Sequence, residues 1–352
     1  MRTETKDIPE ADRATGCPHP RETYDLIGHQ QAEEKFINSF NSGHLHHAWL
    51  ISGAPGTGKA TLAYRMIRRL LGGQSLLSTS LDIPRDDPVS QRVESLGHGD
   101  FFLLRRSYDF KTKKLRSEIP VAETRELSEF FRRKASEDGW RVCLVDTMDE
   151  MNRNAENAIL KTLEEPPDRA IIILLANNPG RLLPTIRSRC MHVQLRPVPE
   201  VELLPWLKSR HSDISENILN AAVKLSRGGP GKAVSLVQNS DKVLTPLTRY
   251  IASLASSDAV FDQKVAASLA PIGARTERTL FWEALQDILQ YQARFATTGQ
   301  WDGAFKPLPI EKLPQVWERL WQKACHLQNR EAALNMDKKS VMIEMLSSIR
   351  SA

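Results

Sequence analysis

The stretch Ala48-Trp-Leu-Ile-Ser-Gly-Ala-Pro-Gly-Thr-Gly-Lys-Ala-Thr61 decides the fold. Its first five residues, apolar up to Ser52, form a run of strand length. Gly53, Gly56 and Gly58 then recur with the spacing of a phosphate-binding loop closed by Lys59, and residues 61–71 carry amphipathic helical periodicity. Glycines let backbone N–H groups turn inward around phosphate oxygens. The helix start adds further N–H groups and a favourable dipole, and Lys59 reaches the outer phosphates. A tight turn with chance glycines is the bland alternative, and the strand–loop–helix setting speaks against it.

Working outward, strand patterns at 101–104, 141–146, 171–176 and 191–195 alternate with helical patterns at 29–40, 123–135 and 154–165, the last stopped by Pro166-Pro167. Alternation of this kind predicts an α/β P-loop domain with a parallel sheet, and continuous apolar runs suit strands buried on both faces. Residues 1–25 read as an extended lead-in, 72–100 as an irregular insertion and 108–118 as a polar hairpin. After Pro199 the strand signal disappears. Residues 200–237 read as short helices broken by Gly228-Gly229-Pro230-Gly231. Residues 243–352 read as longer helices with Trp282, Trp317 and Trp321 in their core. The expected domains are 1–198 (α/β), 199–240 (a small helical domain) and 241–352 (all-helical).

Composition excludes several classes. The chain has 352 residues, 41% hydrophobic and 26% charged, the proportions of a soluble globular protein. Its longest apolar run, 170–176, falls far short of the ~20 residues of a membrane span. The charged start MRTETKDIPEADR lacks the apolar core of a secretory signal. Lys and Arg number 48 against 43 Asp and Glu, a net +5 that permits nucleic-acid contact without demanding it. Cys17, Cys143, Cys190 and Cys325 are scattered and form no CxxC pair. They predict neither zinc nor disulfides, and fit a cytoplasmic chain with reduced thiols.

The loop motif is incomplete. The residue after Lys59 should be Ser or Thr, whose hydroxyl holds Mg²⁺, and it is Ala60; Thr61 lies about 100° further round the helix. Asp146, at the end of a buried strand, stands where P-loop ATPases place the carboxylate that orders Mg²⁺. The following residue is Thr147 instead of a water-activating Glu, and a helical turn is expected to point Asp149 and Glu150 elsewhere. An ordinary strand-end Asp remains the plain alternative. Whether nucleotide binds at Lys59 stays open.

A third motif, Pro184-Thr-Ile-Arg-Ser-Arg-Cys190, precedes the last strand. Together with Leu-Glu-Glu-Pro-Pro (163–167), Ala-Asn-Asn-Pro (176–179), Asn-Ala-Ile-Leu-Lys (157–161), Gly-Gly-Pro-Gly-Lys-Ala (228–233) and Leu-Asn-Met-Asp-Lys-Lys (334–339), it resembles the AAA+ clamp-loader subunits of bacterial DNA polymerase III. Within that family the departures favour the delta prime branch over the ATP-hydrolysing gamma/tau branch. Ala60 and Thr147 break the GKT/GKS and DE patterns, 72–100 holds no cysteine, and glycine stands at Gly231, where a sensor arginine is expected. Some delta prime subunits also carry a zinc module, so its lack departs from them as well.

The resemblance implies specific roles. Arg189 of Ser188-Arg189-Cys190 would reach into a neighbouring subunit's ATP site, and a planar, permanently charged guanidinium suits a γ-phosphate. A local carboxylate partner is the plain alternative. Gly53, Gly56, Gly58, Lys59, Thr61, Asp146 and the sensor-like Asn177 would form a degenerate nucleotide site: ATP as ligand, Mg²⁺ only with ATP, hydrolysis not expected. Implied partners are gamma/tau, delta, the sliding clamp and, through the assembly, primed DNA, with no membrane. Residues 199–240 become a lid and 241–352 an oligomerisation collar. The basic residues Arg105, Arg106, Lys111, Lys113, Lys114 and Arg116, near Tyr108 and Phe110, could meet DNA phosphates, though a solvated hairpin explains them more simply. Arg132-Arg133-Lys134 reads as a solvated helix end. The rival readings are an active AAA+ ATPase, either a gamma/tau-like motor or a DNA-remodelling helicase, and a nucleotide-sensing adaptor outside replication.

Overall fold

The computed structural model describes residues 10–14, 17–75, 77–112, 114–133, 135, 139–254, 259–308, 312–334 and 336–351. Lys113, Lys134, Asn335 and the first nine residues, quoted above, lie outside them. The chain forms two compact units, Met1–Pro199 and Glu200–Ala352.

The first unit is built on strands β1 (Ala48–Ser52), β2 (Phe101–Arg105), the short hairpin strands β3 (Tyr108–Asp109) and β4 (Lys114–Leu115), then β5 (Arg141–Asp146), β6 (Ala170–Ala176) and β7 (Met191–Gln194). Five of them form one sheet in the order β2-β5-β6-β1-β7, all pairs parallel. β1, β5 and β6 are buried along their whole length, as the unbroken apolar runs predict. Alternation sorts their side chains between two cores. Trp49, Ile51, Val142, Leu144, Ile171 and Ile173 share one with Phe36, Leu62 and Ile67. Ala48, Leu50, Cys143, Val145, Ile172 and Leu174 share the other with Leu127, Ile159 and Leu163. The helices packed around these two cores are α1 (Gln30–Asn41), α2 (Lys59–Leu70), α3 (Pro88–Glu94), α4 (Val121–Arg132), α5 (Arg153–Glu164) and α6 (Pro184–Arg187).

Three expectations change here. The insertion 72–100 contains α3, whose cap is local: the Asp87 carboxylate accepts from the N–H groups of Val89 (2.8 Å) and Ser90 (3.4 Å), with Pro88 opening the helix. Leu81, Ile83 and Val93 from this stretch are buried. The α4 helix starts at Val121 and ends at Arg132, earlier at both ends than the periodicity suggests. The lead-in is docked. Cys17 and His19 are buried, Glu10 pairs with Arg21 (2.9 Å) and Arg105 (3.0 Å), and Asp12 pairs with His19 (3.2 Å) and Arg105. The carbonyls of Arg21 and Tyr24 accept from the buried guanidiniums of Arg68 and Arg65.

The second unit is helical among the described residues: α7 (Glu200–Arg210), α8 (Glu216–Ser226), α9 (Pro230–Gln238), α10 (Leu244–Ala252), α11 (Ala259–Leu269), α12 (Arg275–Thr298), α13 (Pro314–Leu334) and α14 (Lys338–Arg350). Trp282 and Trp317 are fully buried. Trp282 donates its indole N–H to Glu331 (3.2 Å), which also pairs with Arg278 (2.8 Å). Trp321 differs. It is half-buried at the rim of a cavity of about 240 Å³ shared with Arg227, Lys232 and Asp287, because the neighbours facing it are charged rather than apolar. The end of α14 is pinned by Arg350, which grips both Asp262 carboxylate oxygens at 2.6 and 2.7 Å.

Candidate nucleotide site

Parallel strands bring their C-terminal ends to one side of the sheet, and the loop 53–58 leaves from that side after Ser52, where β1 lies between β6 and β7. Gly53 has φ +157°, and a Cβ there would come within 2.9 Å of the Leu195 carbonyl oxygen and 3.0 Å of Thr57 Oγ1. Gly58 caps α2 in the left-handed region (φ +99°). The loop is braced from within: Thr57 Oγ1 donates to the Ala54 carbonyl (2.8 Å), and His29 Nε2 donates to the Thr57 carbonyl (2.7 Å). α2 begins at Lys59, two residues earlier than its periodicity alone indicates, so its first N–H groups face the loop.

Lys59 is buried and donates to the carbonyls of Gly53 (2.8 Å) and Ala54 (2.9 Å). Burial lowers its pKa to about 8, against the opposing pull of Asp146 and Asp149. Asp146 ends β5 and is equally withdrawn from water. Burial, reinforced by Asp12, raises its carboxyl to about 7, with Lys59 and Arg105 opposing. Both charges of the site are therefore desolvated, a state an arriving phosphate or cation would relieve. Ala60 offers no hydroxyl, and Thr61 sits half-buried one position on. Thr147, buried, follows Asp146 where a base would stand.

Asn177 follows β6 on the same side. Here the structure corrects the expectation for Asp149. Its carboxylate turns back to accept the backbone N–H groups of Asn177 (2.5 Å) and Asn178 (3.0 Å), fixing the loop that carries Asn177. Glu150 pairs with Arg106 (2.6 Å). No sequence periodicity reports such a clamp, because it joins the ends of two strands through their order in the sheet.

Gly53, Gly56, Gly58, Lys59, Thr61, Asp146 and Asn177 thus gather at one end of the sheet. Ser188, Arg189 and Cys190 do not. The register Trp49↔Met191 places Arg189 beside the start of β1, while the loop leaves from its end. Five residues of strand separate them, about 16 Å at ~3.3 Å per residue. The Arg189 side chain is 36% exposed. It donates to the Thr185 carbonyl (3.0 Å) and pairs with Glu164 of α5 (2.9 Å).

Two of the basic residues near the hairpin serve the fold: Arg105 holds the N-terminal segment and Arg106 holds Glu150. Lys111, Lys114 and Arg116 are exposed, as is Phe110. Among the described residues no cluster of His, Cys, Asp and Glu could hold a metal ion, and no helix is long and apolar enough to cross a membrane.

A parallel sheet with a glycine loop and lysine following β1, an acidic end to β5 and a polar residue after β6 defines a P-loop module. Residues 28–199, just under half of the chain, match the family described as "DNA polymerase III, delta subunit". The DNA polymerase III subunit delta' of Escherichia coli K12 is 36% identical over 59% of this chain and 59% of its own length. The DNA polymerase III subunit gamma of Buchnera aphidicola subsp. Schizaphis graminum is 30% identical over 63% of this chain and 59% of its own length. The matches thus span less than two thirds of each relative. A gamma subunit-related protein of Thermotoga maritima, of solved structure, aligns with 92% of this chain and 99% of its own, at 18% identity and a TM-score of 0.43.

Proposed function

We propose that this chain is a delta prime-type clamp-loader subunit that binds nucleotide weakly or without turnover and supplies Arg189 to the ATP site of a gamma/tau neighbour. In this reading it joins gamma/tau and delta in a cytoplasmic ring that places the sliding clamp on primed DNA. Residues 199–240 act as its lid and 241–352 as its collar. The observation that carries the reading is the separation of Arg189 from its own loop: the register sets it at the opposite end of β1, about 16 Å of strand away, and it is presented at the surface beside exposed Ser188.

The cradle around Gly53 and the buried Lys59 fit a phosphate. The metal set fits less well, since Ala60 removes one ligand and Asp146 holds its proton up to about pH 7. ATP would supply phosphates for Lys59 to neutralise, and Mg²⁺, if it came with ATP, would supply further positive charge. The chain's own residues offer neither a metal-holding hydroxyl after Lys59 nor a base after Asp146.

The test is reconstitution with gamma/tau and delta. Arg189→Ala is expected to leave the ring assembled and lower its DNA-stimulated ATPase several-fold, and an unchanged rate would refute the trans role. For the silent site, the isolated chain is assayed for ATP binding and turnover with and without Mg²⁺. Brisk hydrolysis abolished by Lys59→Ala would instead establish an active AAA+ motor.

A further inference from the structure

We infer that Glu164 is a positioning residue for Arg189, holding the guanidinium in the orientation from which it acts on a neighbouring subunit; the inference rests on the trans reading above. Glu164 is the last residue of α5, a place where a carboxylate meets the negative end of the helix dipole and gains nothing from its own helix. Pro166 and Pro167 end the helix just beyond it, so its backbone position is set by the chain. Its Oε1 lies 2.9 Å from Arg189 Nη2. On the other side Arg189 Nη1 donates to the Thr185 carbonyl at 3.0 Å, from the turn that carries Ser188.

Two fixed acceptors, one on each terminal nitrogen, define the plane of a rigid fork. A guanidinium has five N–H donors, and these contacts occupy one on each terminal nitrogen. The remaining donors are available to an incoming anion, and a phosphate oxygen pair is the group their geometry matches. Without Glu164 the long side chain regains its rotamers and must be ordered when the anion arrives, a cost that falls on the reactive geometry. Both side chains are partly exposed, 36% for Arg189 and 49% for Glu164. The pair therefore adds little to folding, and its energetic effect is confined to orientation. The Leu-Glu-Glu-Pro-Pro and Ser-Arg-Cys segments, separate motifs in the sequence, become one device.

The experiment uses the reconstituted ring with gamma/tau and delta, comparing Glu164→Ala, Glu164→Gln and Arg189→Ala for kcat and KM of DNA-stimulated ATP hydrolysis and for assembly. Glu164→Ala should lower kcat about three- to tenfold with KM and assembly unchanged. Glu164→Gln, which keeps an oxygen acceptor for Nη2, should restore most of the rate. A Glu164→Ala ring with wild-type or higher kcat overturns the inference, and so does a rate loss matched by an equal loss of assembly. If Arg189→Ala is itself silent, the trans reading falls and takes this inference with it. If Arg189→Ala is slow while Glu164→Ala is normal, only the inference falls.

Discussion

The two ends of the sheet treat charge in opposite ways. At the C-terminal end Lys59 and Asp146 are buried, and their pKa values are drawn toward each other, one down to about 8 and the other up to about 7. At the N-terminal end Arg189 stands partly in water, paired with a half-exposed Glu164. A cation meant for its own subunit can be kept in a cradle. On the proposed reading Arg189 serves a neighbour, and such a cation has to be presented at a surface and held there. The contrast also predicts where substitutions are costly: the buried end should be sensitive in stability, and the exposed end in function alone.

The largest effect is expected from Gly53→Val. A side chain there meets the Leu195 carbonyl in a backbone conformation that favours glycine. The change should cost roughly 2–4 kcal/mol in urea unfolding. A cost below about 1 kcal/mol would mean that the loop yields readily, and the idea of a rigid cradle would fail.

A pH effect comes next. The folded chain keeps the Asp146 proton up to about pH 7, whereas the unfolded carboxyl releases it near 3.8. Between these values folding takes up a proton, so this residue's contribution to stability falls as pH rises. Asp146→Asn removes the dependence. The variant should gain on the wild type between pH 4 and 7 by an amount on the order of 2 kcal/mol. Parallel stability curves for the two proteins would show that Asp146 is better solvated than its burial indicates.

The smallest effect is expected at the other end. Arg189→Ala should change unfolding free energy by less than about 1 kcal/mol, because the pair it breaks is exposed to solvent. A larger loss would place Arg189 in the fold and weaken the contrast.

Much of this layout is legible in the sequence, for identifiable reasons. β1 spans the predicted residues because four apolar residues and Ser52 end at a glycine loop, and β6 extends its predicted run by only Ala170. Contacts that join distant segments are not legible. The N-terminal segment looks like loose polar chain until Glu10 and Asp12 are seen to answer Arg105, more than ninety residues away. Asp149 seems stray until sheet order sets Asn177 above it. The α3 helix hides for another reason: Asp87-Pro88 is read as a breaker, whereas here the pair caps and opens a helix. Trp321 shows the limit of helical spacing, which places it in line with Trp317 and says nothing of the charged residues across from it.

The docked N-terminal segment bears on how the sheet unit can be cut. A chain trimmed to the family-matched boundary would begin at Gly28. Arg68 would then lose the Arg21 carbonyl, leaving a buried guanidinium short of an acceptor, while Arg65 would lose the Tyr24 carbonyl and keep Glu33 and Asp82. Arg105 would lose Glu10 and Asp12 together. With Asp12 absent and Arg105 unpaired on the strand beside it, Asp146 would become a stronger acid. The ends of the recognisable domain are therefore not the ends of its electrostatic unit, which starts at least as far back as Glu10.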